Sequence, residues 1–363
     1  MSLLSEYVEF QNGKKRPEKG GKYPVYGGNG ILDYASDFNM DGGVIIGRVG
    51  AYCGSAYLET GKCWVSDNAI KAASKGNIDI FYLYYLLKSL NLNEFKIGTS
   101  QPLLTQGILN NLEAEIPPMA IQKKVGRFLN AIDGKIAINA RINGNLQQQM
   151  QCVYEHCFVE NANPNWKQGA ISDLGAVIGG GTPSKAHKEY YAENGIPWIT
   201  PKDLSNDKSK FIYHGANDIT ELGLKNSAAT MLPKGTVLFS SRAPIGYIAV
   251  AGCPITTNQG FKSVAPKKSV GTAYIYCFLK ANLHIIEQMA SGSTFKEISG
   301  SVMKSVPATI PDKESLYKFN EFCAPLFHQQ QVLELQNQSL GKIRDILSPL
   351  LLSGELDVSG LDL

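Results

Sequence analysis

The feature that most constrains this chain is an internal duplication in which matching positions lie 194 residues apart. Gly-Thr-Ser at 98–100 matches Gly-Ser-Thr at 292–294, and the same offset aligns Leu104 with Ile298. It also aligns the Ile-Pro pair at 116–117 with the Ile-Pro pair at 310–311. A chain of 363 residues is too long for one ordinary core. The repeat therefore predicts two related halves.

The segments that follow each repeat predict two long helices. From Ile132 onward, apolar and amide residues alternate steps of four and three, which is typical of a coiled-coil seam, and adding 194 gives a second seam. Each segment allows a helix of about 40 residues, roughly 60 Å long at about 1.5 Å per residue. Residues 119–158 lack proline, and Pro325 in the second segment is expected to mark a helix start or a kink. The candidate seam residues are Ile132, Ile136, Asn143, Leu146, Met150, Leu333, Asn337, Leu340 and Leu347.

Two arrangements of these helices are open at this point. They can pair with each other as an antiparallel spacer, or each can pack separately on its own domain. The matching seams favour pairing. Asn143 and Asn337 fall at the same register, and polar seam residues fix register and partner at some loss of stability.

The globular parts match more loosely and predict an α+β fold. The apolar run 44–46 is followed by Arg48, and the similar run 237–239 is followed by Arg242. Short β-rich runs alternate with Gly/Pro turns, and short helices are predicted at 80–87 and 273–279, which does not form a βαβ array. The predicted divisions are a first globular domain at 1–118, a long helix at 119–158, a second globular domain at 159–311, and a second long helix with the tail at 312–363.

The familiar catalytic and metal-binding motifs are missing from this sequence. The Gly-rich run 179–185 does not fit a P-loop, and Gly27-Gly28-Asn29-Gly30 lacks dinucleotide-binding spacing. The seven cysteines form no C-x-x-C, and the five histidines are scattered, so neither a disulfide framework nor a metal site is indicated. No apolar run is long enough to span a membrane, and residues 1–16 lack a signal core, so a cytoplasmic location is expected.

Charge and polar turns point instead to nucleic acid. Residues 159–311 carry 15 Lys/Arg against 10 Asp/Glu, whereas residues 1–118 carry 11 against 12. Arg, Asn, Gln, Ser and Thr read base edges, and Lys holds phosphates, although each such residue alone also suits an ordinary turn. The candidate DNA-binding residues of the second half are Thr182, Ser184, Lys185, Lys188, Lys202, Ser240, Ser241, Arg242, Thr257, Asn258 and Gln259. Those of the first half are Lys14, Lys15, Arg16, Tyr26, Asn29, Arg48, Tyr52 and Asn68.

Several motifs together resemble the specificity subunits of type I restriction-modification systems. They are Gly-Gly-Thr-Pro-Ser at 180–184, the run 196–204, Leu-Phe-Ser-Ser-Arg-Ala-Pro-Ile-Gly at 238–246, Thr-Thr-Asn-Gln-Gly-Phe at 256–261 and the ending 347–356. The first half carries Tyr-Pro-Val-Tyr-Gly-Gly-Asn-Gly at 23–30, which is similar to a second variant of this family. It lacks the Gly-Thr-Pro-Ser loop and the Ser-Ser-Arg strand end, so the two domains are expected to read different half-sites.

The resemblance implies a fold and a division of labour. It implies two target-recognition domains in a pseudo-twofold arrangement, separated by two long antiparallel coiled-coil helices that set the spacing of a bipartite double-stranded DNA target. It implies methylation subunits and a restriction (translocase/nuclease) subunit as partners. S-adenosylmethionine and ATP are expected on those partners, with no cofactor on this chain and no catalytic role for it.

Two other classes of protein remain open from the sequence. One is a duplicated coiled-coil structural or adhesion protein that binds glycans or proteins. The other is a free-standing DNA methyltransferase, against which the missing cofactor loop counts. DNA binding in the presence of methylation subunits separates the first from a specificity subunit, and S-adenosylmethionine binding separates the second.

Overall fold

A computed structural model describes residues 1–98, 102–242, 244–292, 296–358 and 360. The chain divides into two compact units. Unit 1 contains Met1–Ala137 and Asn337–Leu363, and unit 2 contains Ile138–Gln336. Five positions of the internal repeat and of the family motifs, namely 99, 100, 243, 293 and 294, lie outside the described residues.

Unit 1 is built on a mainly antiparallel sheet. Its strands are β1 (Ser2–Leu3), β2 (Val8–Asn12), β3 (Tyr23–Gly27), β4 (Gly30–Ala35), β5 (Met40–Gly47), β6 (Ala56–Val65), β7 (Ala69–Ser74) and β8 (Glu113–Ala114). The main sheet has the order β2-β7-β5-β6-β3-β4, and β1 pairs with β8 apart from it. Neighbours are antiparallel except β3 and β6. The tight β3–β4 turn requires Gly30, whose φ is +80°.

Helices close one face of this sheet. They are α1 (Ile80–Ser89), α2 (Gln106–Asn110) and the first part of α3 (Met119–Glu155), with 3-10 turns at Leu4–Glu6, Gly50–Tyr52 and Leu92–Phe95. The Asp79 carboxylate starts α1 by accepting hydrogen bonds from the Phe81 and Tyr82 amides. Tyr82, Val125 and Leu351 share the buried core with the sheet, so both long helices are anchored in this unit.

Unit 2 has two sheets of moderate size and a short pair. Its strands are β9 (Lys167–Ala170), β10 (Gly175–Gly179), β11 (Tyr191–Ala192), β12 (Ile196–Ile199), β13 (Phe211–Ile212), β14 (Asn217–Ile219), β15 (Val237–Ser241), β16 (Ile245–Ala251), β17 (Thr256–Thr257), β18 (Lys262–Pro266) and β19 (Pro307–Ile310). The sheet orders are β10-β18-β15-β16-β13 and β11-β14-β12-β17, and β19 pairs with β9. β15, the strand that leads to Arg242, lies inside the first sheet, where each of its residues is buried.

The helices of unit 2 are shorter. They are α4 (Ile171–Leu174), α5 (Pro201–Asn206), α6 (Glu221–Lys225), α7 (Thr272–Ala281), α8 (Leu283–Gln288) and α9 (Gly300–Lys304), with a 3-10 turn at Lys188–Tyr190 and a π-turn at His156–Glu160. The last helix is α10 (Lys313–Leu352). Tyr154 and Phe158 at the end of the first long helix pack with Tyr274 of α7 and Phe319 of α10 in an aromatic cluster. This cluster fixes both long helices to the core of unit 2.

The two long helices pair antiparallel within each unit. In unit 1 the Asn337 amide donates to the Ile136 carbonyl at 3.2 Å. In unit 2 the Asn143 amide donates to the Gln330 carbonyl at 3.5 Å, and the Gln330 amide donates to the Asn143 carbonyl at 2.9 Å. The offset of 194 carries Asn143 onto Asn337 and Ile136 onto Gln330, so the asparagine contact recurs in both halves.

The α+β prediction with two long antiparallel helices is confirmed. Of the named seam positions, Ile132, Met150 and Leu333 are buried. Ile136, Asn143, Leu146, Asn337, Leu340 and Leu347 are half-buried. Pro325 does not mark the helix start, because α10 begins at Lys313, where the Asp312 carboxylate accepts the Ser315 amide at 2.9 Å.

Candidate functional site

The end of β15 forms a tight, internally bonded turn in unit 2. Ser240 and Ser241 are both 0% exposed. The Ser240 hydroxyl donates to the Pro244 carbonyl and accepts the Tyr247 amide, each at 2.8 Å. The Ser241 hydroxyl donates to the Gly260 carbonyl at 3.1 Å. The expectation that these two hydroxyls contact DNA is therefore wrong. Both are hydrogen-bonded to the backbone of the turn that carries Arg242.

Arg242, the next residue, reaches the surface and meets a carboxylate. Its Nη1 lies 3.5 Å from Glu297 Oε2, and Lys262 Nζ lies 3.8 Å from Glu297 Oε1. The Lys262 ammonium also donates to the Gln259 carbonyl at 3.3 Å. Burial is the main cause that lowers the pKa of Lys262, and the neighbouring Glu297 opposes that shift. The three side chains form a charged cluster beside the strand end.

The Gly-Thr-Pro-Ser loop is held against the same region. The Trp198 indole donates to the Gly181 carbonyl at 2.9 Å, and the Gly181 amide donates to the Thr257 carbonyl at 2.9 Å. A Cβ on Gly181 would stand 2.3 Å from the Ala228 carbonyl carbon, so only glycine permits this approach. The Thr182 hydroxyl hydrogen-bonds the Gln259 side chain.

Thr257 does not take part as expected. Its side chain is 1% exposed, so the prediction that it contacts DNA is wrong. Its hydroxyl has no hydrogen-bond partner among the described residues.

An open cavity of about 730 Å³ brings together the remaining polar candidates of unit 2 except Ser184. Its lining includes Thr182, Lys185, Lys188, Lys202, Asn258 and Gln259. Ser184 and the three lysines are exposed, while Thr182 and Asn258 are half-buried. The Gln259–Lys262 contact connects this cavity to the Arg242 cluster, so one surface offers cations together with amide and hydroxyl groups.

The corresponding surface of unit 1 is centred on Arg48. The Arg48 amide donates to the Asn68 carbonyl at 3.0 Å, and its guanidinium donates to the Asp67 carbonyl at 3.4 Å. A Cβ on Gly28 would lie 3.4 Å from the Asn68 carbonyl oxygen, which places the 27–30 turn next to Arg48. Asn29, Tyr52 and Asn68 are exposed. Together with Arg48, they are the four predicted residues in or around this cluster of turns.

The other candidates of unit 1 behave differently. Lys14, Lys15 and Arg16 are exposed in the loop after β2, which the Lys14 amide ties to the Val65 carbonyl at 3.0 Å. Tyr26 is 6% exposed, and its hydroxyl donates to Glu59 at 3.1 Å. Burial is the largest cause that raises the pKa of Tyr26. The prediction that Tyr26 contacts DNA is wrong, because its ring belongs to the core.

Glu297 and Lys262 are site residues that the sequence did not single out. Lys262 follows the Asn-Gln-Gly-Phe motif directly, so its position was a usable signal. Glu297 carries no such signal, because the repeat places Leu103 at the same position of the first half. Among the described residues, no three His, Cys, Asp or Glu side chains come together as metal ligands. The cations of this surface are suited to binding phosphates, and its amide and hydroxyl groups are suited to hydrogen-bonding the edges of bases.

Comparison with known proteins decides the family. A family model described as the type I restriction modification DNA specificity domain matches residues 4–148 and again residues 163–338. The chain belongs to this family. The two matches cover both sides of the sequence repeat, so each half of this specificity-domain protein carries one copy.

Named specificity subunits are among its relatives. The specificity subunit of the type I restriction enzyme MjaIX from Methanocaldococcus jannaschii is 40% identical over 181 residues, which are 49% of this chain and 42% of that protein. The HindI specificity subunit from Haemophilus influenzae is 23% identical over 357 residues, covering 76% of this chain and 77% of that protein. The match to the first relative thus spans less than half of its length.

A solved structure shares the fold of this specificity-domain chain. The S subunit of a type I restriction-modification system from M. genitalium has a TM-score of 0.69 and 16% sequence identity, covering 99% of this chain and 96% of that one. Across the described part of the chain, no helix is both long and apolar enough to cross a membrane.

Proposed function

We propose that this chain is the DNA sequence-specificity subunit of a type I restriction-modification complex. Each globular part reads one half of a bipartite double-stranded target, and the antiparallel helix pair sets the distance between the halves. The chain itself carries out no chemistry. Because its target is intracellular DNA, a cytoplasmic location is part of the proposal.

One observation carries this proposal: each family copy ends a central strand at an arginine that lies beside an asparagine-containing turn. Arg48 follows β5 and bonds the backbone of Asn68. Arg242 follows β15, which is bonded to the 258–260 turn through Gly260. Arginine pairs bidentately with guanine and asparagine with adenine, so two such surfaces suit two half-sites.

The two surfaces differ in composition, which supports two different half-sites. Unit 2 combines Arg242 with the lysines around the 730 Å³ cavity, whereas unit 1 combines Arg48 with Tyr52 and exposed amides. A protein that recognised one repeated sequence would be expected to keep the same contact residues in both copies.

The partners proposed are methylation subunits and a restriction (translocase/nuclease) subunit. They supply S-adenosylmethionine, ATP and the reacting groups. The polar groups on the two surfaces of this chain serve to bind DNA. In this complex the chain selects the DNA sequence, and the partner subunits carry out the reactions.

Binding selection tests the proposal. The chain is purified with its methylation subunits, incubated with a pool of random duplexes, and the retained sequences are determined. The expected consensus has two specified blocks separated by a fixed unspecified spacer. Failure to retain DNA would favour a structural or adhesion protein, and methyl transfer by the chain alone would contradict its non-catalytic role.

A further inference from the structure

We propose that Glu297 is a specificity-determining residue of unit 2, because its carboxylate holds Arg242 and Lys262 until a DNA half-site offers the arginine a better partner. This inference rests on the proposed DNA-recognition function. On a surface that is otherwise rich in cations, Glu297 competes with DNA for Arg242.

The contacts place Glu297 between the two cations. One carboxylate oxygen lies 3.5 Å from Arg242 Nη1 and the other 3.8 Å from Lys262 Nζ. The Arg242 and Glu297 side chains are 40% and 41% exposed, whereas Lys262 is 15% exposed. The pair is therefore accessible to an incoming ligand, and water weakens it enough to be exchanged.

Backbone bonds hold the carboxylate at this position. Glu297 and Ser291 exchange main-chain hydrogen bonds at 2.9 and 3.1 Å, and the Ile298 amide donates to the Ser241 carbonyl at 3.0 Å. The Ser241 amide in turn donates to the Gly260 carbonyl at 2.8 Å. The segments that carry Glu297, Arg242 and Lys262 are thus tied together independently of their charges.

Unit 1 has a similar backbone arrangement without the carboxylate, in which the Arg48 backbone takes the place of Ser241, the residue before Arg242. Ile97 and Leu103 pair as Ser291 and Glu297 do, and the Leu104 amide donates to the Arg48 carbonyl at 2.9 Å. The offset of 194 carries Leu103 onto Glu297. Among the described residues, Arg48 meets no carboxylate within ion-pair distance, so the acidic group is a feature of unit 2 and not a requirement of the fold.

The carboxylate acts differently on matching and mismatching DNA. Guanine O6 and N7 offer Arg242 two acceptors in a bidentate geometry, which replaces the single long contact with Glu297. A mismatched base offers no such exchange, and Glu297 then keeps Arg242 paired and repels nearby phosphates. Only the matching complex must break the Arg242–Glu297 pair, so the carboxylate narrows the difference in affinity between matching and mismatching DNA by the energy of that pair.

The test compares Glu297→Gln with wild type in the full chain assembled with its methylation subunits. Affinity is measured for the selected bipartite duplex and for duplexes altered in one half at a time. The expected result is a gain of about two- to fivefold in affinity for the matching duplex, which no longer has to break the Arg242–Glu297 pair, a range that corresponds to one exposed ion pair. Affinity for duplexes altered in the half read by unit 2 should change less.

A matched control separates position from charge. Glu321→Gln removes the same charge from an exposed position of α10 in the same unit. It should leave discrimination at both halves as in wild type. In an Arg242→Ala background, Glu297→Gln should also lose its effect on discrimination, because the residue it restrains is gone.

Two results would overturn the inference in distinguishable ways. If wild type binds the bipartite duplex but Glu297→Gln and Glu321→Gln change discrimination equally, Glu297 is only a surface charge and the proposed function stands. If wild type retains no DNA sequence at all, the inference fails together with the proposed function.

Discussion

Ser240 is the residue that fixes the turn carrying Arg242. Its buried hydroxyl both donates to the Pro244 carbonyl and accepts the Tyr247 amide. Ser240→Ala should lower the free energy of unfolding by about 1–3 kcal/mol, because the half-buried Tyr247 loses the partner of its amide. Urea unfolding measures this. Ser339→Ala, at an exposed helix position, should change it by less than about 0.5 kcal/mol, and equal effects of the two variants would contradict the assigned role.

Arg242 is a side chain of that turn that a ligand can reach. Arg242→Ala should weaken binding of the matching duplex by about 1–3 kcal/mol and relax preference at one position of one half-site, as expected for loss of a bidentate base contact. Binding of the full complex to single-position duplex variants checks this. Lys313→Ala removes one positive charge from the same unit and should leave sequence preference intact. An unchanged preference in Arg242→Ala would remove this residue from the site.

Residue-scale contacts were only partly predictable from the sequence. Arg48 and Arg242 follow apolar runs, so their place at strand ends could be inferred. The direction of Ser240, Ser241, Thr257 and Tyr26 could not, because a polar residue at a strand end faces either the core or solvent depending on long-range strand pairing. Glu297 could not be found because it comes close to Arg242 only through the fold.

Lys210 joins the start of β13 to α10 in unit 2. Its buried ammonium donates to Gln330 at 2.6 Å and lies 4.3 Å from the ring centres of Tyr276 and Phe327. The Glu334 carboxylate accepts the Lys210 and Phe211 amides at 2.8 and 2.9 Å. Burial lowers the pKa of Lys210 from 10.5 to about 7.

This shift predicts that stability rises with pH. Above about pH 7 the unfolded chain keeps the Lys210 proton that the folded chain has lost, so unfolding takes up a proton. The gain between pH 7 and 8.5 is at most about 2 kcal/mol. Burial raises the pKa of the Cys277 thiol to about 12. Buried thiols of this kind lower stability as the pH rises, but only near pH 9 and above, where the thiols of the unfolded chain lose their protons.

The variant Lys210→Met isolates this effect. Urea unfolding at pH 7 and at pH 8.5 should show the rise in wild type and lose most of it in Lys210→Met. Parallel behaviour of the two proteins across this range would show that Lys210 is not the group responsible.

The helix pair is the element proposed to set spacing. Removing one heptad from both long helices shortens the pair by about 10 Å, which equals roughly three base pairs of DNA. The shortened protein should select the same two half-sites with a shorter spacer, and binding selection measures this. A changed half-site with an unchanged spacer would contradict the ruler role.

Element boundaries followed from sequence where periodicity was strong. The helices predicted at 80–87 and 273–279 are present as Ile80–Ser89 and Thr272–Ala281. The helix start expected at Pro325 was wrong because Asp312 caps α10 13 residues earlier in the sequence. Sheet order could not be predicted, since strands such as β12 and β17 pair across more than 50 intervening residues.

At the scale of the whole molecule, the duplication is the property that determines what this chain can recognise. Two family copies, at 4–148 and 163–338, carry different recognition surfaces and share the paired helices. The asparagine contacts that recur under the 194-residue offset indicate that both halves keep one architecture while their surface residues differ. Such a molecule is suited to recognise two unlike sequences at once.

Methylome sequencing of a host that expresses the chain with its methylation subunits, compared with a host lacking only this chain, tests two-part DNA recognition most directly. The chain is expected to add methylation at one motif made of two unlike specified blocks with a fixed unspecified spacer. Methylation of a single contiguous motif, or the same methylation in both hosts, would contradict it.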